Sequence, residues 1–153
     1  MKIVMYTDGA AKGNPGRGGY GTVLMYGEHR KELSEGFRKT TNNRMELLAV
    51  IKGLEALKKN DLEVLIYSDS KYVVDSVEKG WIWNWQKKGF KDKKNVDLWR
   101  QFIPLYKRQR IRFQWVKGHA GIPENERCDQ LAVASAEGFD LKVDVAYENG
   151  AAG

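Results

Sequence analysis

Four acidic residues are spaced so that folding could bring their carboxylates together: Asp8, Glu46, Asp69 and Asp129. Two of them follow apolar runs that fit buried strands, and two lie in segments with the apolar spacing of helices. Clustered carboxylates raise one another's pKa, and their repulsion costs several kcal/mol in a low dielectric unless cations intervene. Oxygen ligands favour Mg²⁺ or Mn²⁺ over Zn²⁺, so the chemistry these residue types permit is hydrolysis assisted by divalent ions.

Each acid taken alone also has a purely structural explanation. Asp8 precedes a glycine and fits a hairpin turn. Glu46 could complete a capping box with Asn43, and Asp69 could cap a helix. His119 lies in a glycine-flanked loop, where an exposed imidazole could move protons near neutral pH, although most such histidines have no catalytic role. Only convergence at one sheet edge would make these residues a site.

The elements that would position these residues follow from the periodicity. Three strands with short connections predict an antiparallel meander, with the first strand ending at Asp8 and the third at an edge of the sheet. A helix opens at 40–43, and a fourth strand, unbroken by polar residues, fits a central position. Further helices and a fifth strand follow. The patterns that indicate the five strands lie at 1–6, 20–26, 30–37, 61–67 and 110–116.

A glycine-rich run resembles a nucleotide-binding motif but does not have its context. Gly16 to Gly21 spells the dinucleotide fingerprint, which requires a helix to begin at that point. The run leads instead into Tyr20–Tyr26, a strand pattern, and a P-loop sequence is also absent. We therefore interpret the glycines as turn and close-approach positions beside a strand.

Cations and aromatic residues concentrate between residues 80 and 99. Trp81 and Trp85 stand one helical turn apart, and a polar loop rich in lysine follows them. The pattern favours a projecting basic arm that binds nucleic acid, over the alternative of core tryptophans beside solvated lysines. The lysines of this arm are Lys87, Lys88, Lys91, Lys93 and Lys94.

Size and composition limit the remaining possibilities. The chain has 153 residues and a net charge of +6, which indicates one domain and a polyanionic partner. Its one cysteine fits a reducing cytoplasm, and its apolar runs are too short to span a membrane. We expect a monomer with a single domain at 1–140, a basic handle at about 80–95 and a C-terminal tail at 141–153 that is frayed from Asn149 onward.

Six blocks, in order along nearly the whole chain, resemble the bacterial type 1 ribonuclease H family. The basic Trp/Lys arm resembles that family's handle. Any one block would be modest evidence, whereas the ordered set is specific. The blocks are Tyr6–Gly9, Gly13–Gly16, Thr40–Glu46, Ser68–Ser70, Trp115–His119 and Asn125–Asp129.

The resemblance implies an α/β fold in which a five-stranded mixed sheet, three antiparallel strands then two parallel, is flanked by helices. It also implies endonucleolytic hydrolysis of the RNA strand of RNA–DNA hybrids with two Mg²⁺ ions, or Mn²⁺ in their place, leaving 5′-phosphate and 3′-hydroxyl ends. Asp8 would bridge the ions, Glu46, Asp69 and Asp129 would complete their ligands, and His119 would assist proton movement or product release. The rival functions are a non-catalytic hybrid binder and another two-metal nuclease.

The resemblance also assigns residues to the nucleic acid. Asn14, Asn42 and Asn43 match minor-groove contacts, where 2′-hydroxyls identify RNA. Thr41 and Asn95 match a pocket for a DNA-strand phosphate, and the tryptophans Trp81 and Trp85 match a channel for the deoxyribose strand. The handle lysines would grip phosphates.

Three departures from the family pattern predict altered affinity for the hybrid and no change of reaction. Lys39 stands where relatives often carry Arg, and Lys71 stands where Gln or Asn is common. The arm between Gly89 and Asn95 is also shorter than in some relatives.

Overall fold

A computed structural model describes residues 2–152 of the chain. Its six strands form one mixed sheet, and its helices cover both faces of that sheet. In chain order the elements are β1 (Lys2–Ala11), β2 (Gly16–Tyr26), β3 (His29–Thr40), α1 (Asn42–Glu55), β4 (Glu63–Ser68), α2 (Lys71–Glu78), α3 (Trp81–Lys87), α4 (Val96–Arg108), β5 (Arg110–Trp115), α5 (Pro123–Glu137), β6 (Leu141–Lys142) and α6 (Val145–Glu148).

The sheet has the strand order β5-β4-β1-β2-β3-β6. The first three strands form the predicted antiparallel meander, and β4 and β5 add parallel to β1 on its other side. This arrangement confirms the predicted mixed α/β fold and the central position of β4. It also places the ends of β4 and of the parallel part of β1 at one edge of the sheet.

Helix α1 supplies the main core on one face of the sheet. Its residues from Arg44 to Ile51 are all buried, and Thr22 of β2 donates a hydrogen bond to the Ala49 carbonyl at 2.7 Å. Helix α4 packs beside α1 and brings Trp99 and Phe102, both fully buried, into the same cluster. Because α1 is held along its length, the residues of its first turn have fixed positions.

The glycine-rich stretch of β2 lets α5 lie directly on the opposite face. A Cβ at Gly21 would stand 2.2 Å from the Cys128 carbonyl, and one at Gly19 would stand 2.4 Å from the Ala132 carbonyl. Both helix residues are fully buried, so small side chains and glycines meet across this interface. The interpretation of close-approach glycines is confirmed, since β2 begins at Gly16 and no helix starts there.

The C-terminal segment differs from its prediction. Leu141 and Lys142 form a sixth strand parallel to β3, so the predicted number of five strands is too low by one. The prediction that β3 is an edge strand is also wrong where Gly36 and Phe37 pair with β6. Beyond α6, Ala152 is buried and its carbonyl accepts a hydrogen bond from the Val96 N–H at 3.2 Å. Fraying of 149–152 is therefore not observed, and residue 153 lies outside the described residues. The cause is the long-range contact of Ala152 with Val96, which a tail of mostly glycine and alanine does not reveal.

No helix between residues 2 and 152 combines the length and the apolar character needed to cross a bilayer.

Candidate active site

Two of the four acids are aligned by the register of the parallel strands. The pairing of β1 with β4 ends at Tyr6 opposite Tyr67, and Asp8 and Asp69 each follow two residues later. The prediction that the first strand ends at Asp8 is wrong, because β1 continues to Ala11 along β2. The acid lies where β1 leaves its parallel neighbour, so its carboxylate still reaches the sheet edge.

Glu46 comes to the same edge from the first turns of α1. The Thr41 hydroxyl accepts a hydrogen bond from the Arg44 N–H at 3.2 Å, which makes Thr41 the N-cap and shows that the capping box of Asn43 with Glu46 was wrong. A Cβ at Gly9 would stand 2.4 Å from the Glu46 N atom. The glycine after Asp8 therefore allows β1 to contact α1 closely, which brings the two carboxylates together.

Asp69 is held from the side of β5. Its carbonyl accepts a hydrogen bond from Trp115 Nε1 at 3.1 Å. A Cβ at Gly118 would stand 2.7 Å from Asp69 Oδ2, so the loop after β5 also packs against the carboxylate.

The carboxylates of Asp8, Glu46 and Asp69 offer oxygen atoms that lie within 4.8 Å of one another. Burial and the charge of Asp69 raise the pKa of Asp8 to about 7. Burial and the charges of Asp8 and Asp69 raise the pKa of Glu46 well above its usual range. Without a cation these three carboxyl groups resist ionising together, because their negative charges repel one another. The cluster therefore favours binding of a cation.

The three residues fit a divalent ion. Glu46 exposes only 8% of its surface, and its Oε1 has no hydrogen-bond partner within residues 2–152. A buried carboxylate oxygen without a donor is costly unless a cation binds it. Close carboxylate oxygens are also the ligands that Mg²⁺ and Mn²⁺ prefer.

Asp129 and His119 share one small cavity with Asp8 and Asp69. Asp129 is half-buried on α5, and its charge contributes to the raised pKa of Asp8, although it lies outside the group of three within 4.8 Å. His119 is exposed in the loop before α5, with a positive φ of 57°. All five predicted catalytic residues thus lie at one edge of the sheet.

Asn125 also lines this cavity, and it was not among the site residues predicted from the sequence. It exposes 8% of its surface, and its Oδ1 has no hydrogen-bond partner in the described chain. Its spacing of four residues before Asp129 on a helix was the available signal, because that spacing puts both side chains on one face.

The asparagines predicted to contact the minor groove connect the glycine-rich loop to α1. The Asn14 Oδ1 accepts a hydrogen bond from the Asn42 N–H at 2.9 Å, and the Asn42 Oδ1 accepts one from the Ala11 N–H at 2.5 Å. Both oxygens are therefore engaged, while the exposed side-chain amide groups remain able to donate to a ligand.

A second cavity, of about 340 Å³, opens between this loop and the starts of α1 and α4. Both residues predicted to form a phosphate pocket, Thr41 and Asn95, line it. Asn14, Asn43 and Lys94 line it as well. The Asn95 Nδ2 donates to the Tyr72 hydroxyl at 3.1 Å, which fixes the orientation of that amide.

The basic handle combines core and surface residues. Trp81 is 44% exposed, whereas Trp85 is half-buried and packs edge-on against Trp99 at 6.0 Å between ring centroids. Lys87, Lys88 and Lys91 are exposed and form no ion pair within the described part of the chain.

The two divergent lysines are both exposed and belong to different elements of the fold. Lys39 is exposed near the end of β3. Lys71 is exposed at the start of α2, with its Nζ 4.1 Å from the centroid of the Trp115 ring. The Nε1 of the same ring donates to the Asp69 carbonyl, so Lys71, although exposed, lies near Asp69.

Known proteins are similar to this chain in both sequence and fold. A model of the RNase H family matches residues 1–137. Ribonuclease H of Desulforamulus reducens (strain ATCC BAA-1160 / DSM 100696 / MI-1) is 58% identical over 149 residues, which cover 94% of this chain and 93% of that protein. The chain therefore belongs to the RNase H family, as the motifs predicted.

Solved structures of the same family have the same architecture. LC9-RNase H1, described as a type 1 RNase H with the type 2 active-site motif, has a TM-score of 0.81 at 31% identity, covering 99% of this chain and 81% of its own. LC11-RNase H1, solved in complex with an RNA/DNA hybrid, has a TM-score of 0.65 at 26% identity, covering 88% of this chain and 96% of its own.

Proposed function

We propose that this protein is an endoribonuclease that hydrolyses the RNA strand of RNA–DNA hybrids, leaving 5′-phosphate and 3′-hydroxyl ends. The observation that carries the proposal is the convergence of the Asp8, Glu46 and Asp69 carboxylates within 4.8 Å at the sheet edge of a ribonuclease H fold. A related protein has been solved with an RNA/DNA hybrid, which supports the choice of substrate.

Asp8, Glu46, Asp69 and Asp129 would hold two Mg²⁺ ions, with Mn²⁺ as a possible replacement. When bound, such a pair supplies an activated water and stabilises the leaving 3′ oxygen. Because β1, α1, α5 and the end of β4 fix the positions of the four carboxylates, these side chains would fix where the ions are held. His119, exposed in the loop at the same cavity, would accept or return a proton as product departs.

Recognition of the hybrid would divide between three groups of residues. Asn14, Asn42 and Asn43 would contact 2′-hydroxyls in the minor groove. Thr41 and Asn95 would bind a phosphate of the DNA strand. The remaining contacts would come from Lys39, Lys71, Trp81, Trp85, Lys87, Lys88 and Lys91 along the two strands.

The test is cleavage of labelled RNA presented as a hybrid, a single strand and an RNA duplex, with an all-DNA duplex as control. We expect cuts at internal positions of RNA in the hybrid alone, requiring Mg²⁺ and abolished by EDTA. Asp8→Asn and Asp69→Asn should bind the hybrid and fail to cut it. Asp61→Asn should cut normally, because Asp61 is exposed and precedes β4, at the other end of that strand from Asp69. Digestion of DNA, or turnover in EDTA, would contradict the proposal.

We also propose that the protein acts as a monomer in the cytoplasm. Size-exclusion chromatography with light scattering should give the mass of a single chain; a stable dimer would contradict the monomer.

A further inference from the structure

The C-terminal segment forms one wall of the 340 Å³ cavity described above. Tyr147 of α6 and Ala152 line it opposite the starts of α1 and α4. The segment is anchored there by the hydrogen bond from the Val96 N–H to the Ala152 carbonyl. The residues that follow β6 are therefore part of the cavity rather than a separate extension.

A buried arginine ties this wall to the predicted phosphate ligands. Arg44 is 2% exposed and donates from Nε to Asp144 Oδ2 at 2.7 Å, just before α6. Its backbone N–H bonds the Thr41 hydroxyl, and its Nη1 reaches the Asn95 Oδ1 at 3.4 Å. One residue thus sets the spacing between Thr41, Asn95 and the C-terminal segment.

The lining of the cavity suits an anion. It contains amide, hydroxyl and ammonium groups and, among the residues that the structure describes, no carboxylate. Tyr147 is half-buried, and its hydroxyl has no hydrogen-bond partner within residues 2–152. A tyrosine hydroxyl in such a place can donate to a phosphate oxygen, and hydrogen bonds to charged groups are the stronger ones.

We propose that Tyr147 binds the substrate, its hydroxyl donating a hydrogen bond to the DNA-strand phosphate held by Thr41 and Asn95. The inference rests on the proposed function and adds to it a specificity residue from the C-terminal segment. Tyr147 lies away from the acidic cluster, in a different cavity, so it contributes to binding and not to the chemical step.

The experiment compares Tyr147→Phe with Tyr26→Phe, a matched loss of one hydroxyl from an exposed tyrosine at the end of β2. We expect Tyr147→Phe to raise KM for the hybrid about tenfold with kcat unchanged, the size expected for one hydrogen bond to a charged group. Tyr26→Phe should leave both constants unchanged. Thermal unfolding of the two variants checks that the segment remains folded.

A neutral methylphosphonate scanned along the DNA strand identifies the phosphate. Wild type should lose affinity wherever the protein contacts a DNA-strand phosphate, and Tyr147→Phe should lose less than wild type at one of those positions, because the variant already lacks one hydrogen bond to that phosphate. An unchanged KM for Tyr147→Phe, or equal losses in wild type and variant at every position of the DNA strand, would overturn the inference while hybrid cleavage by wild type still stood. Absence of hybrid cleavage by wild type would instead contradict the proposed function.

Discussion

The acidic cluster depends on two glycines as much as on its carboxylates. Gly9 removes the side chain that would separate β1 from α1 at Glu46, and Gly118 does the same beside Asp69. Each carboxylate is therefore positioned by backbone packing before any ion binds. Such a preorganised group of like charges destabilises the metal-free protein, and binding of cations relieves this cost.

The first prediction concerns the pH dependence of stability without metal. Asp8 has a pKa raised to about 7 by burial and by Asp69. A carboxyl whose pKa is raised on folding stabilises the protein below its unfolded value, about 4, and loses that contribution as pH rises through the folded value. In EDTA, the melting temperature of wild type minus that of Asp8→Asn should therefore fall between about pH 4 and about pH 7.

The difference between the two proteins is the quantity to measure, because other groups act in the opposite direction. Glu32 has a pKa lowered to about 2 by hydrogen bonds from Arg127 and Arg30, so its contribution is lost only in acid. That contribution is common to both proteins and cancels. Adding Mg²⁺ at pH 8 should raise the melting temperature of wild type far more than that of Asp8→Asn. A difference independent of pH would contradict the electrostatic account.

At the scale of the elements, the glycines of β2 let α5 pack directly on the sheet. This packing positions the residues that α5 contributes to the candidate active site. Gly21→Ala would place a Cβ 2.2 Å from the Cys128 carbonyl oxygen. Because this oxygen belongs to the backbone of α5, the clash can be relieved only by moving the helix or the strand. We expect a loss of about 1–3 kcal/mol in the free energy of unfolding. Hybrid cleavage should also fall, since α5 carries Asp129 and Asn125. Urea denaturation and initial rates measure the two effects.

Gly138→Ala is the matched control for that change. Gly138 has a φ of −74°, and a Cβ there would come no nearer than 3.5 Å to its neighbours. Stability and activity should stay near those of wild type. Equal stability of the Gly21 and Gly138 variants would show that close approach of α5 is not what the glycines provide.

Two features could be predicted from local sequence patterns: the order of the elements, and the edge of the sheet at which the acidic residues of the site lie. The apolar run Val64–Tyr67 indicates a central strand, and an acid just after it lies at that strand's end. The extension of β1 beyond Asp8 could not be predicted, since it depends on pairing with β2. Nor could the place of the C-terminal segment, because Asp144 bonds Arg44 across 100 residues of chain.

At the scale of the whole molecule, the buried Arg44 joins three parts of the fold. It pairs with Asp97 of α4 at 2.7 Å and with Asp144 of the C-terminal segment at 2.7 Å. Asp144→Ala should lower the free energy of unfolding by about 3 kcal/mol. This value is at the lower end of the range for breaking a buried pair, because Asp97 still neutralises the Arg44 guanidinium. Hydrogen exchange should show faster opening of residues 145–152.

Glu148→Ala provides the comparison within the same segment. It removes the pair with Arg38, whose side chain is 61% exposed, and solvent screens such a pair. Its unfolding free energy should remain close to that of wild type. If the two variants were equally stable, the buried network would not be what holds the C-terminal segment.

The distribution of charge over the molecule predicts how binding depends on salt. Lys87, Lys88 and Lys91 project from the handle without carboxylate partners in the described chain, so phosphates are their natural counterions. Replacing all three with Gln in the Asp8→Asn protein should weaken hybrid binding. The slope of log K against log salt should flatten by about 0.9 for each phosphate that the handle no longer neutralises.

The control for that charge change is a triple variant of three exposed lysines, two that follow α1 and one in the last turn of α4: Lys58→Gln, Lys59→Gln and Lys107→Gln. Both triple variants have the same net charge, so long-range attraction falls equally in each. Only the handle lysines would displace counterions by touching phosphates, so only the slope of the handle variant should change. Equal slopes in the two variants would mean that the handle attracts the hybrid through net charge alone and does not touch it.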